Sequence, residues 1–197
     1  MTVREAAGRA RSIGFRVKSG YAIAVALGGS AQSPAAVSRH IVQLCDPAVK
    51  ETRQPYHSDF GEAEEDERAI ARRVEIIERA AAQSVDTLID AVGLPARARA
   101  ALVVGSVIDP ATVGNQHIRA HANEGRLFRT VLEDALTRRG VRCSVTVEKQ
   151  VAAAARETLG QSDAQIKRVL SAFGRTLGSP WRSEEKAAAI AAWMSLR

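Results

Sequence analysis

The feature that most constrains this chain is a change of period partway along it. Up to about residue 45 the apolar residues come in short runs suited to strands. From residue 70 they recur at steps of three and four: Ile70, Val74, Ile77, Ala81, Val85, Leu88 and Val92. Those steps place all of them on one face of a long helix. Asp59 and Glu62 have the spacing of a capping box, which predicts a helix opening at Asp59. The acidic run Glu62, Glu64, Glu65, Asp66 and Glu67 then falls in its first turns, where negative charge meets the positive end of the helix dipole. Gly93 and Pro95 end it. A helix with one apolar stripe must cover a sheet or another helix, and the strand signals on either side of it favour a sheet.

Those signals order themselves along the chain. Residues 12–17 read as a first strand and residues 21–27 as a second, joined by Lys18-Ser19-Gly20, where glycine is free to take positive φ. Residues 38–45 read as a third strand with Val42 and Leu44 on one face, stopped by Asp46-Pro47. Residues 100–108 are apolar almost throughout, as a central parallel strand should be. Asn123 is the expected cap of a helix over 124–139, Gly140 its end, and Val141, Cys143, Val145 and Val147 alternate as a fifth strand. The remainder is helical: 151–159, then a helix to about residue 176 opened by the Ser162/Gln165 capping box, then 184–196 capped by Ser183. Strand, strand, strand, helix, strand, helix, strand, helices predicts an α/β fold, a mixed sheet of about five strands with helices on both faces. We read residues 1–197 as a single domain. Residues 1–11 read as a basic arm or a short helix, and 148–197 are expected to supply C-terminal helices packing on the sheet.

Only 4% of residues are aromatic, so alanine, valine, leucine and isoleucine must fill the core at close packing distances. Lys plus Arg is 28 and Asp plus Glu is 22, a net charge of +6. An excess of this size suits an ordinary solvated surface, and it also suits attraction to polyanions, nucleic acid first. Cys45 and Cys143 each lie in an apolar stretch, which reads as two buried thiols in a reduced compartment, with no zinc-motif spacing. No secretory leader and no membrane-length apolar run is seen, and the expectation is a cytoplasmic protein with no membrane partner. The chain holds no Gly-x-Ser-x-Gly, Walker loop, dinucleotide fingerprint or Cys-x-x-Cys, so the common hydrolase, nucleotide and redox classes lose their usual support.

The stretch from Gly14 to Val25, Gly-Phe-Arg-Val-Lys-Ser-Gly-Tyr-Ala-Ile-Ala-Val, together with the element order, resembles the ribonuclease H-like superfamily and its Holliday-junction resolvase branch. Those enzymes similarly open with a first strand, a short turn and Gly-Tyr-Ala or Gly-Tyr-Gly entering the second. The resemblance implies two divalent ions, Mg²⁺ or Mn²⁺, held on acids of the first strand, the end of the fourth strand and the last helix. The first-strand place is taken here by Arg16, or by Lys18 in another alignment, and a cation there repels metal. Asp109 is displaced into a turn past the fourth strand, while Glu184 and Glu185 match the last helix. The full acidic set is therefore missing, and no cofactor is expected outside a nuclease reading.

Three polar stretches stand out. His117, His121 and Glu124 are spaced so that a helix would gather two imidazoles and a carboxylate, as zinc sites do. The preferred reading assigns no metal-binding residue and lets His121 and Glu124 pin a loop to the helix start by hydrogen bonds. A third reading makes His121 a general base or phosphate contact, with Arg129 as an anion clamp. In the second stretch Trp181 either plugs the core edge, while Arg182 and Glu185 pair on the surface, or stacks on a base at a lip over the strand ends. The third, Gln54-Pro55-Tyr56-His57, lies in a long loop, where function often sits.

Three functional readings follow. The first is a non-catalytic or unconventional ribonuclease H-like protein binding nucleic acid or another anion at the strand C-terminal ends, lined by Arg16, Lys18, His121, Glu124, Arg129, Trp181 and Arg182. The second is a metal-dependent phosphodiesterase using Asp109, Glu124, Glu184 and Glu185. The third is an interaction protein whose last helix, with Trp193 and Met194, makes a homodimer face.

Overall fold

The computed structural model describes residues 9–58 and 61–197. Its strands are β1 (Ser12–Lys18), β2 (Tyr21–Gly29), β3 (Pro34–Gln43), β4 (Arg99–Val104) and β5 (Arg142–Val147), and its helices are α1 (Glu67–Val92), α2 (Gln116–Arg138), α3 (Val151–Leu159), α4 (Asp163–Leu177) and α5 (Ser183–Met194). The five strands form one sheet in the order β3-β2-β1-β4-β5. β1, β2 and β3 are antiparallel neighbours, and β4 and β5 join parallel to β1 and to each other. The expected mixed sheet is thus present, with the first hairpin and β4 paired directly through Ser12↔Arg99 to Arg16↔Val103. Gly20 takes φ 82° in the β1–β2 turn, as its position requires.

Alternation along the strands sorts the core into two layers. Ile13, Phe15 and Val17 of β1 face one way with Ala22, Ala24 and Ala26 of β2 and Leu102 of β4, under the apolar stripes of α1 and α2. Ile23, Val25 and Leu27 face the other way, under α3, α4 and α5. Helices therefore cover both faces, and the C-terminal helices pack on the sheet. α5 can lie close against β1 because Gly14 has no side chain: a Cβ there would stand 2.0 Å from the Ala188 carbonyl oxygen. Ser12, beside it, donates to the Ala192 carbonyl at 2.8 Å.

Several boundaries differ from the sequence expectation, each for a physical reason. α1 opens at Glu67, capped by Asp66, whose carboxylate accepts from Arg68 N–H. Asp59 and Phe60 lie outside the described residues, so the capping expectation at Asp59 does too. Of the acidic run only Asp66, as the cap, and Glu67, in the first turn, belong to the helix; Glu62, Glu64 and Glu65 precede it. Glu64 accepts the backbone N–H groups of Glu65 and Asp66 and pairs with Arg73 at 2.8 Å, so it orders the entry loop. The hydrogen bond from Asp66 N–H, more than the Arg73 guanidinium, holds its carboxyl below the usual range. β4 ends at Val104, four residues short of the expected 108, because β1 supplies no partner beyond Arg16↔Val103; Val107 and Ile108 stand exposed. α2 starts at Gln116 under an Asn115 cap, well before the expected Asn123. Residues 1–8 of the expected basic arm lie outside the described residues. Ala10 is buried, and Arg11 N–H bonds the Leu27 carbonyl, so the chain is already seated there.

Cys45 and Cys143 are free, the first buried and the second half-buried. Burial, and after it the Glu133 charge, push the Cys143 thiol up to about 11, so it is an inert packing group.

Candidate functional site

Two polar regions of the described residues hold most of the expected site residues. The first lies where β1 and β4 end. Arg16 projects from the α5 face of β1 and is only 5% exposed. Its Nη2 meets Glu148 Oε2 at 2.6 Å and its Nε meets Glu148 Oε1 at 3.3 Å, a two-pronged pair from the turn after β5. Its Nη1 donates to the Val17 carbonyl at 2.7 Å. Two residues on, Lys18 meets Glu184, in the first turn of α5, at 3.2 Å, with both side chains partly exposed. Glu185 is buried: it accepts the backbone N–H of Arg182 at 2.8 Å and lies 4.0 Å from Arg39. The expected surface pair between the Arg182 and Glu185 side chains is therefore replaced by a cap on α5. A groove of about 210 Å³ opens beside these groups, lined by Arg16, Lys18, Ser19, Gly105, Ser106 and Gly125.

The other expected residues are dispersed. Asp109 is exposed, accepts from Ala111 N–H in its own turn and lies 3.9 Å from Arg126. Arg129 faces Glu133 on its own helix at 3.5 Å. Trp181 is half-buried against Gly174 of α4, where a Cβ would stand 2.5 Å from the indole, so it closes the core edge. Trp193 is 2% exposed, and its Nε1 donates to the Ala31 carbonyl at 2.8 Å, so it belongs to the core and to no exposed dimer face. Asp109, Glu124, Glu184 and Glu185 do not converge: each has its own separate partners. The two-metal acid set implied by the resemblance does not fit the residues present, because the first-strand position carries a buried guanidinium already paired with a carboxylate.

The second region joins the loop before α1 to the first turns of α2. Because α2 begins at Gln116, His117 and His121 sit one turn apart on one face, with Glu124 on the next turn. His57 reaches the same place from the loop. Glu124 is 1% exposed and bridges two rings, His57 Nδ1 at 2.7 Å on Oε1 and His121 Nδ1 at 3.3 Å on Oε2. His117 Nδ1 lies 3.0 Å from the Gly61 carbonyl, and His117 Nε2 lies 3.2 Å from His121 Nε2. His57 Nε2 is buried without a hydrogen-bond partner. The loop is braced by Arg73 of α1, which donates to the Pro55 and His57 carbonyls and pairs with Glu64. Tyr56 stands nearby. Burial chiefly raises its phenol above the ordinary value, with Arg126 opposing and Glu124 adding to the shift.

His57 was the residue that local reading undervalued. Its spacing from His117 in sequence carries no signal, and the only hint was a histidine in a long loop.

No family model matches the chain, and no curated protein does. Solved structures do match. RuvC of Thermus thermophilus is similar over 93% of this chain and 91% of that one, at 11% identity and a TM-score of 0.52. T. thermophilus RuvC in complex with Holliday junction substrate matches over 93% and 90%, at 11% identity and a TM-score of 0.53. The yeast mitochondrial Holliday junction resolvase Ydc2 matches over 95% and 78%, at 10% identity and a TM-score of 0.50. The fold is the ribonuclease H-like fold of the Holliday junction resolvases. At this identity the likeness speaks for the ribonuclease H-like architecture, and the side chains at the strand ends are this chain's own. Among the described residues no helix is long and apolar enough to cross a membrane.

Proposed function

We propose that this chain is a ribonuclease H-like protein that binds nucleic acid through its phosphate backbone at the C-terminal ends of β1 and β4, without the two-metal cleavage chemistry its resemblance implies. The observation that carries this reading is Arg16, a buried cation paired with Glu148 at the first-strand position. Lys18, beside it, is partly exposed and among the described residues is tied only to Glu184, so its ammonium can turn to a phosphate at small cost. Ser19, Ser106 and the glycine backbone of the groove add small polar contacts. The net charge of +6 favours a polyanion. One similar structure, RuvC of T. thermophilus, is a complex with Holliday junction substrate, which supports branched DNA as the first ligand to try.

The test is fluorescence anisotropy on branched and single-stranded DNA across a salt series, beside a cleavage assay in Mg²⁺ and Mn²⁺. Each phosphate neutralised by a Lys or Arg predicts about a 3.5-fold loss of affinity between 50 and 200 mM salt. Lys18→Glu should weaken binding to every sequence alike. An affinity indifferent to salt would refute backbone binding. Metal-dependent cleavage that disappears in Glu185→Gln would refute the non-catalytic reading and restore the phosphodiesterase.

A further inference from the structure

The cluster in front of α2 has a property that hydrogen bonding alone leaves unexplained. Each of its three imidazoles has Nδ1 against an oxygen that can only accept: Glu124 Oε1 for His57, Glu124 Oε2 for His121 and the Gly61 carbonyl for His117. These partners assign the proton of each neutral ring to Nδ1. All three Nε2 atoms then carry a lone pair. His117 Nε2 and His121 Nε2 face one another at 3.2 Å, on that assignment lone pair to lone pair, and His57 Nε2 is buried with nothing to accept from. Facing lone pairs repel, and a buried unpaired nitrogen is costly. A cation at their centre removes both penalties.

We infer that His57, His117 and His121 form a site for one zinc-class divalent ion, ligated through their Nε2 atoms, with Glu124 as the carboxylate that orients two of the rings. One ligand atom of each histidine lies within 4.8 Å of those of the other two. The 3.2 Å between His117 Nε2 and His121 Nε2 is close to the separation of about 3.3 Å that two nitrogens at 2.0–2.1 Å from a tetrahedral ion must have. Borderline-soft imidazole donors select Zn²⁺, Co²⁺, Ni²⁺ or Cu²⁺ over Mg²⁺, so this site differs in kind from the carboxylate set that the resolvase resemblance implies. Nδ1–H donation to a carboxylate or carbonyl is the outer-shell arrangement that fixes tautomer and ring orientation at histidine sites. The site is assembled before any ion arrives. The His57 loop is clamped by Arg73, and α2 presents His117 and His121 one turn apart. Three of the four histidines in the chain are spent here. His117 and His121 are exposed while His57 is buried, so the ion enters from the solvent side and keeps one tetrahedral position for an oxygen ligand.

The test uses the untagged full chain, stripped with a chelator and titrated with Co²⁺ by absorption and with Zn²⁺ by calorimetry. One equivalent should bind, with the intense visible bands of low-coordinate Co²⁺ that Zn²⁺ then bleaches. His117→Ala and His121→Ala, both at exposed positions, should each weaken binding at least 100-fold with the circular dichroism spectrum intact. Glu124→Gln should weaken it about 10–100-fold while keeping one equivalent. Absence of saturable binding below about 100 µM, or His117→Ala and His121→Ala binding as tightly as the parent, would overturn the assignment. So would a Co²⁺ spectrum that stays octahedral and pale.

Discussion

The strand ends and the histidine cluster are both polar, partly buried and built from distant segments, yet they are finished to different degrees. At the strand ends each charge meets another: Arg16 meets Glu148, and Lys18 meets Glu184. In the histidine cluster the Nδ1 atoms all face oxygen, while His57 Nε2 is buried without a partner and the Nε2 atoms of His117 and His121 face only each other. A polar group whose partners are all supplied by the chain explains itself as structure. A set of acceptors turned toward one point without a donor asks for something the chain does not contain. The same carboxylate chemistry serves opposite ends in the two places. Glu148 neutralises a cation, while Glu124 aligns neutral rings around a centre.

The comparison can be broken experimentally, beginning with its largest expected effect. Glu148→Ala leaves the Arg16 guanidinium buried without its carboxylate and should cost about 2–3 kcal/mol in urea unfolding. That lies below the range of about 3–5 kcal/mol for a fully buried pair, because Glu148 itself is half-exposed. Arg16→Met keeps the volume and releases Glu148 to water, so it should cost at most about 1 kcal/mol. Equal costs would mean that the pair is not asymmetrically buried. Zinc at 100 times its dissociation constant should add about 2.7 kcal/mol, read as a rise of roughly 5–10 °C in Tm. His117→Ala should abolish that rise. A rise that survives in His117→Ala would place the ion elsewhere and dissolve the contrast. The smallest effect belongs to Lys18→Ala, expected to change stability by less than about 1 kcal/mol because its pair with Glu184 is solvated. A larger loss would show that Lys18 is structural and remove it from the nucleic-acid surface.

Legibility in the sequence followed local signals. The strands β1, β2 and β5, the stripe of α1 and the Ser162/Gln165 capping box were readable because periodicity and caps are local signals. The first two turns of α2 were not. Among its first residues only Ala120 is buried, and Ile118 is exposed, so no apolar face announced the helix. That omission hid the one-turn spacing of His117 and His121. Trp193 was misjudged for the complementary reason: its place near the chain end suggested a surface, but Gly14 draws α5 onto β1 and the indole goes inside.

The sequence by itself determined the order of strands and helices and the presence of Arg16 in the first strand, since each depends on residues within a few positions of one another. Only the tertiary structure decided which charges neutralise which, and that His57 meets residues 60 and 64 places further along the chain. Such meetings depend on where the β3–α1 loop folds back across the end of α2. No local period encodes that distance, because it is set by the packing of α1 and α2 on the same face of the sheet.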